Sequence, residues 1–93
     1  MFEYTETEKE AAVTKYFSQE DLLKLVSFPK KQKQKYLCLL WIKSIFDQDI
    51  MFSENEINEK LKSVYHDYVL IRRYMIDYKL LDRTNDGSSY WVA

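Results

Sequence analysis

Two adjacent arginines, Arg72 and Arg73, are the side chains here with the most pointed chemistry. A guanidinium carries its donors in a planar fork that fits a carboxylate, a phosphate or the edge of a guanine. If residues 67–78 are helical, steps of about 100° place Arg72 near the middle of a face shared with Tyr65, Tyr68, Met75 and Ile76. An arginine on a buried face needs a carboxylate, because an unpaired charge out of water is very costly. Glu56 and Asp67 are the candidates for that structural ion pair with Arg72. Arg73 falls about a quarter turn away, beside His66 and Asp77. Together with His66 and Tyr74 it is placed to point outward, where such side chains meet the base edges or phosphates of double-stranded DNA. Asp67 and Asp77 share the helix and repel phosphate, so a solvated face of mixed charge stands beside that reading.

Lys30, Lys31, Lys33 and Lys35 put four positive charges into six residues. They suit phosphate contact at the start of a helix, although lysines there oppose the helix dipole, and a solubilising surface is the bland alternative. Arg83 stands in a segment that reads as a hairpin. It is placed to reach a minor groove or a backbone, or else to pair with Asp82 or Asp86. Eight tyrosines and two tryptophans are many for 93 residues, and stacking on single-stranded bases is one use for them. Trp41 lies inside an apolar helix, however, and Tyr90-Trp91 lies in a strand that must cover the core, so these rings read as packing. Aromatic surface left exposed on the first long helix would mark a dimer or partner face.

Catalysis has little to work with. Cys38 lies within an apolar run and reads as an inert packing thiol. His66 is the only histidine, and its sequence neighbour Asp67 does not make a dyad of it. Metal sites need clusters of Cys or His that are absent, and a phosphate-cradling loop needs more than one glycine. The expectation is a binding module without enzyme activity, cofactor or metal.

These side chains require a small helical scaffold. One glycine and one proline leave room for few, short loops, and 93 residues suit one core. The single cysteine excludes an intrachain disulfide framework and fits a reducing cytoplasm. The acidic start does not resemble a signal peptide, and the longest apolar run, residues 36–42, is far too short to cross a membrane. Net charge is −1, but unevenly spread: residues 1–29 carry −3 and residues 30–93 carry +2. The excess of base is slight and decides nothing alone.

Thr5-Glu6-Thr7-Glu8 caps a first helix ending near Tyr16, and Ser18 with Asp21 suggests a second over residues 19–26, with Leu22, Leu23 and Val26 on one side. Pro29 marks a boundary, dividing an N-terminal helical extension (residues 1–26) from a main domain (residues 27–93). A central helix follows over residues 30–46, apolar on nearly every face, and then a short strand at residues 50–52. Ser53-Glu54-Asn55-Glu56 spells a capping box for a helix reaching about Ser63. After a turn at residues 63–67, Asp67 caps a helix reaching Tyr78. Residues 80–84 and 89–92 form a hairpin around Asn85-Asp86-Gly87-Ser88. Helix, strand, helix, turn, helix and hairpin, in that order, is the plan of a winged helix-turn-helix: mainly α with a small β-hairpin.

Four separated blocks now carry a resemblance. They are Phe28-Pro29-Lys30-Lys31; Phe52-Ser53-Glu54-Asn55-Glu56-Ile57-Asn58-Glu59-Lys60-Leu61; Asp67 with Ile71-Arg72-Arg73-Tyr74-Met75-Ile76-Asp77; and Leu80-Leu81-Asp82-Arg83-Thr84 with Asp86-Gly87-Ser88-Ser89-Tyr90-Trp91. In this order they resemble the pattern of a bacterial family, domain of unknown function 2087, over roughly residues 27–92. Ile71 and Met75 stand where leucine is common, swaps that preserve volume. The resemblance implies a winged helix of the kind found with transcription regulators. The functional expectation is a double-stranded DNA-binding module, with a homodimer or regulatory-protein interaction module as the alternative.

Overall fold

The computed structural model describes residues 2–93. Local capping chemistry sets where three of its four helices begin. Thr5 accepts from the Glu8 amide while the Glu8 carboxylate accepts from the Thr5 amide, starting α1 (Glu6–Tyr16). Ser53 and Glu56 make the same reciprocal pair at the head of α3 (Glu54–Lys62). Asp67 accepts from the Leu70 amide and opens α4 (Tyr68–Asp77). Each capping residue satisfies amides that have no carbonyl partner within the helix. The remaining helix, α2 (Gln32–Lys43), has no side-chain cap.

α2 is buried from several directions and packs on α1 and α4. Leu37, Cys38, Leu39 and Ile42 are buried on it, and Tyr36, Leu40 and Trp41 are half-buried, as an all-round apolar sequence requires. Its regular part stops at Lys43 rather than residue 46. Ser44, Ile45 and Phe46 donate to carbonyls three residues back, so the last turn tightens before it ends. α1 packs against α2 with Ala12, Val13 and Phe17 buried.

Residues 19–26 form turns, not the helix that their sequence suggested. Ser18 does accept from the amides of Glu20 and Asp21, but no helix propagates from there. The Leu25 amide donates to the Val64 carbonyl at 2.9 Å and the Val26 amide to the Tyr16 carbonyl at 2.8 Å. Those distant carbonyls take the donors a helix would need. Leu25 is buried and bridges to Phe17, whereas Leu22, Leu23 and Val26, the supposed inner side, are exposed.

α4 ends in a paired reversal: the Leu80 amide donates to the Met75 carbonyl at 2.8 Å and the Lys79 amide to the Ile76 carbonyl at 3.0 Å. Lys79 takes the left-handed conformation (φ 60°) usual for glycine at this position, and Leu80 and Met75 are both buried beneath it. β1 (Leu81–Arg83) then pairs antiparallel with β2 (Tyr90–Val92), placing Leu81 opposite Val92 and Arg83 opposite Tyr90. Gly87 (φ 73°) makes the reversal between them. Of residues 50–52, only Phe52 pairs with a strand, exchanging backbone bonds with Tyr90 at 2.8 and 2.7 Å. The result is four helices followed by a two-stranded antiparallel hairpin, and no helix among the described residues is long and apolar enough to cross a membrane.

Candidate functional site

α3 and α4 are joined by a short connection, and β1 of the hairpin folds back against α4. Between α4, the hairpin and the first turn of α3 lies a cleft of about 360 Å³. Arg72, Arg73 and Asp77 line it from α4, Arg83, Asp86 and Tyr90 from the hairpin, and Glu54 from α3.

Arg72 is held on the cleft wall. Its Nη1 lies 3.2 Å from Glu54 Oε1 and also donates to the Asn58 side-chain oxygen. The partner is therefore Glu54, neither Glu56 nor Asp67. Both of those carboxylates are taken by helix capping, Glu56 by the Ser53 amide and Asp67 by the Leu70 amide. The bond from the Ser53 backbone, then that from its hydroxyl, holds the Glu56 carboxyl below the usual carboxylate range. Asn58 is one turn beyond Glu54 on the same helix, so i, i+4 spacing from Glu54 was the signal that could have found it.

Arg73 is exposed and has no hydrogen bond or ion pair among the described residues. Arg83 pairs with neither Asp82 nor Asp86. Its guanidinium donates instead to the carbonyls of Thr84 and Asn85, at 3.0 and 3.1 Å, while Asp82 accepts from the Arg83 backbone amide. Neutral carbonyls fix the direction of Arg83 without cancelling its charge. Asp86 is occupied inside the turn. It accepts from the Ser88 amide and from the hydroxyls of Thr84 and Ser88, which hold its carboxyl down at about 2, the Ser88 backbone bond being the largest cause.

Tyr74 is half-buried rather than free. Its ring lies 5.2 Å from that of Phe28, and its hydroxyl accepts from Lys35 Nζ at 3.1 Å. The Lys35 ammonium sits over both rings. Arg73, Tyr74, Asp77 and Leu70 border a second, smaller hollow of about 300 Å³. On the far side of Phe28, Lys30 and Lys31 share a groove with Lys15, Tyr16 and Gln34, and its lining holds no carboxylate. Lys15 lies on α1 and carries no local sequence signal linking it to the lysine cluster. Lys33 leaves that cluster, turning to Glu8 of α1 at 2.7 Å. His66 is exposed beside the Tyr65 ring and lines neither the cleft nor the groove.

Arg73, Tyr74, Arg83, Lys30 and Lys31 are thus linked through adjoining hollows, whereas His66 and Lys33 stand apart. Among the rings, Tyr90 is buried and Trp41 is half-buried with its indole N–H donating to the Leu22 carbonyl at 2.6 Å. Burial pushes the Cys38 thiol up to about 12, which suppresses thiolate at neutral pH. Among the described residues no three His, Cys, Asp or Glu side chains gather where they would hold a metal ion.

No curated protein and no solved structure matches the chain. Residues 24–92, most of its length, match the model of a family described as "Uncharacterized protein conserved in bacteria (DUF2087)", and the chain belongs to that family.

Proposed function

We propose that this chain is a winged-helix module that binds double-stranded DNA in the manner of a transcription regulator, with α4 entering a groove and the β1–β2 hairpin acting as the wing. The reading is one of binding, without a chemical step. The observation that carries it is the run of adjoining hollows from Lys30 and Lys31, past Phe28 and Tyr74, to Arg73 and Arg83. The order α3, α4, hairpin supports the fold assignment, because it supplies a helix and a two-stranded flank next to each other. Acids are interspersed on this side, but Glu54 is spent on Arg72 and Asp86 on its own turn. That leaves Asp77 as the carboxylate in the cleft with no partner among the described residues.

The test is fluorescence anisotropy with random duplex DNA at low and physiological salt. We expect micromolar binding that weakens steeply with salt, with a slope of about −0.9 for each phosphate neutralised. Arg73→Glu combined with Arg83→Glu should abolish it while the melting temperature is retained. Absence of binding at low salt would refute the reading. A protein-contact function, with a second copy or a regulatory partner, would then lead, supported by the exposed Leu22, Leu23 and Val26.

A further inference from the structure

The exposed side of α4 is a straight stripe of three unlike residues. Val69, Arg73 and Asp77 follow each other at four-residue steps and all are exposed, whereas Ile71 and Met75 on the opposite side are buried. Stripe and lysine groove differ in chemistry. The groove of Lys15, Lys30 and Lys31 has no acid in its lining, which suits phosphate. The stripe carries one cation, one anion and one branched apolar group, which does not. A carboxylate such as Asp77 repels phosphate but accepts well from an amino group on a base, and an exposed valine gains nothing from phosphate either.

Resting on the DNA-binding reading above, we propose that the Val69–Arg73–Asp77 stripe reads base edges in the major groove. Arg73 takes a guanine through its O6 and N7, and Val69 packs on the methyl group of a nearby thymine. The backbone phosphates fall to Lys15, Lys30 and Lys31. Four helical residues advance about 6 Å and base pairs about 3.4 Å, so the guanine and thymine lie about one or two pairs apart. Arg73 is suited to this role because it has no intramolecular partner among the described residues and can present its whole fork. Arg72, tied to Glu54 and Asn58, cannot.

The experiment selects duplexes from a random pool with the full chain, then measures winners and single-base variants by anisotropy. The expected motif holds a guanine about one or two pairs from a thymine. Arg73→Ala should lower the preference for that guanine by about tenfold or more while circular dichroism shows an unchanged fold. Replacing the thymine by uracil should weaken wild type a few-fold and Val69→Ala not at all. Lys30→Ala with Lys31→Ala should weaken all sequences alike and flatten the salt slope.

If the pool stays unenriched while salt-sensitive binding persists, base reading is refuted and DNA binding survives. If Arg73→Ala weakens every sequence equally, Arg73 sits on phosphate and the proposal fails. If no duplex is retained at low salt, the parent reading fails and takes this one with it.

Discussion

Phe17→Ala should destabilise the whole molecule, not merely its first helix. Phe17 is only 3% exposed at the end of α1, where it bridges to Leu25. Leu25 in turn donates to Val64, in the connection between α3 and α4. Deleting a buried phenyl ring typically costs about 3–5 kcal/mol, because transfer energy is lost and a cavity remains. A 93-residue domain has a total stability of about 5–14 kcal/mol, so this one change removes a large share of it. The melting temperature should fall by at least about 12 °C. Urea unfolding would be followed by far-ultraviolet circular dichroism and by fluorescence of Trp41 on α2 and Trp91 on β2. Both probes should move to the same lower midpoint in the variant. The reasoning is refuted if the fluorescence midpoint stays at the wild-type value while helix content alone is lost. That result would mean α1 detaches without disturbing the rest. Phe17→Leu, which keeps most of the volume, should cost about 1 kcal/mol and confirms that packing is the cause.

Lys79→Gly should stabilise the protein by about 1 kcal/mol in denaturant titration, since glycine adopts φ 60° without the penalty that a Cβ brings. Gly87→Ala should destabilise by about 1–2 kcal/mol through its positive φ alone, because a Cβ there meets Arg83 Nη1 at an ordinary 3.5 Å. The Cys38 thiol should resist thiol reagents at pH 8 until the chain unfolds; because burial raises its folded value from 9.0 to about 12, stability should decline with pH between those values, where the unfolded thiol ionises and the folded one does not. Asp86 should titrate by nuclear magnetic resonance near 2, with the Ser88 amide shift moving alongside it; the stability its carboxylate adds is fully present above the ordinary value of 3.8 and is lost as pH falls from there through about 2.

The parts of the fold written in short-range chemistry were legible. The Thr5 and Ser53 capping boxes, the Asp67 cap and the Gly87 reversal each depend on residues within four positions of one another. Residues 19–26 depart from the helical reading because the Leu25 and Val26 amides go to Val64 and Tyr16, partners that no local window contains. The same distance hid Lys33 and Glu8, which meet only because α1 lies on α2. The Arg72 partner is a different case. Ser53-Glu54-Asn55-Glu56 already implied that Glu56 was committed to the cap, which left Glu54 as the carboxylate near the same helix start. Helical phase alone points Tyr74 outward, and the packing of Phe28 and Lys35 against it leaves it half-covered.

The backbone pair between Phe52 and Tyr90 closes a ring. From Phe52 the chain runs through Ser53 into the first turn of α3, where Glu54 holds Arg72 of α4. α4 passes through the Lys79 reversal into β1, and β2 returns to Tyr90. The hairpin and the exposed side of α4 therefore stand like the two jaws of a calliper, with the cleft between them. Moving the hairpin away from α4 works against the β1–β2 and Phe52–Tyr90 pairs and the Glu54–Arg72 contact. In the DNA-binding reading proposed above, these contacts hold α4 and the hairpin side by side for the duplex to meet together.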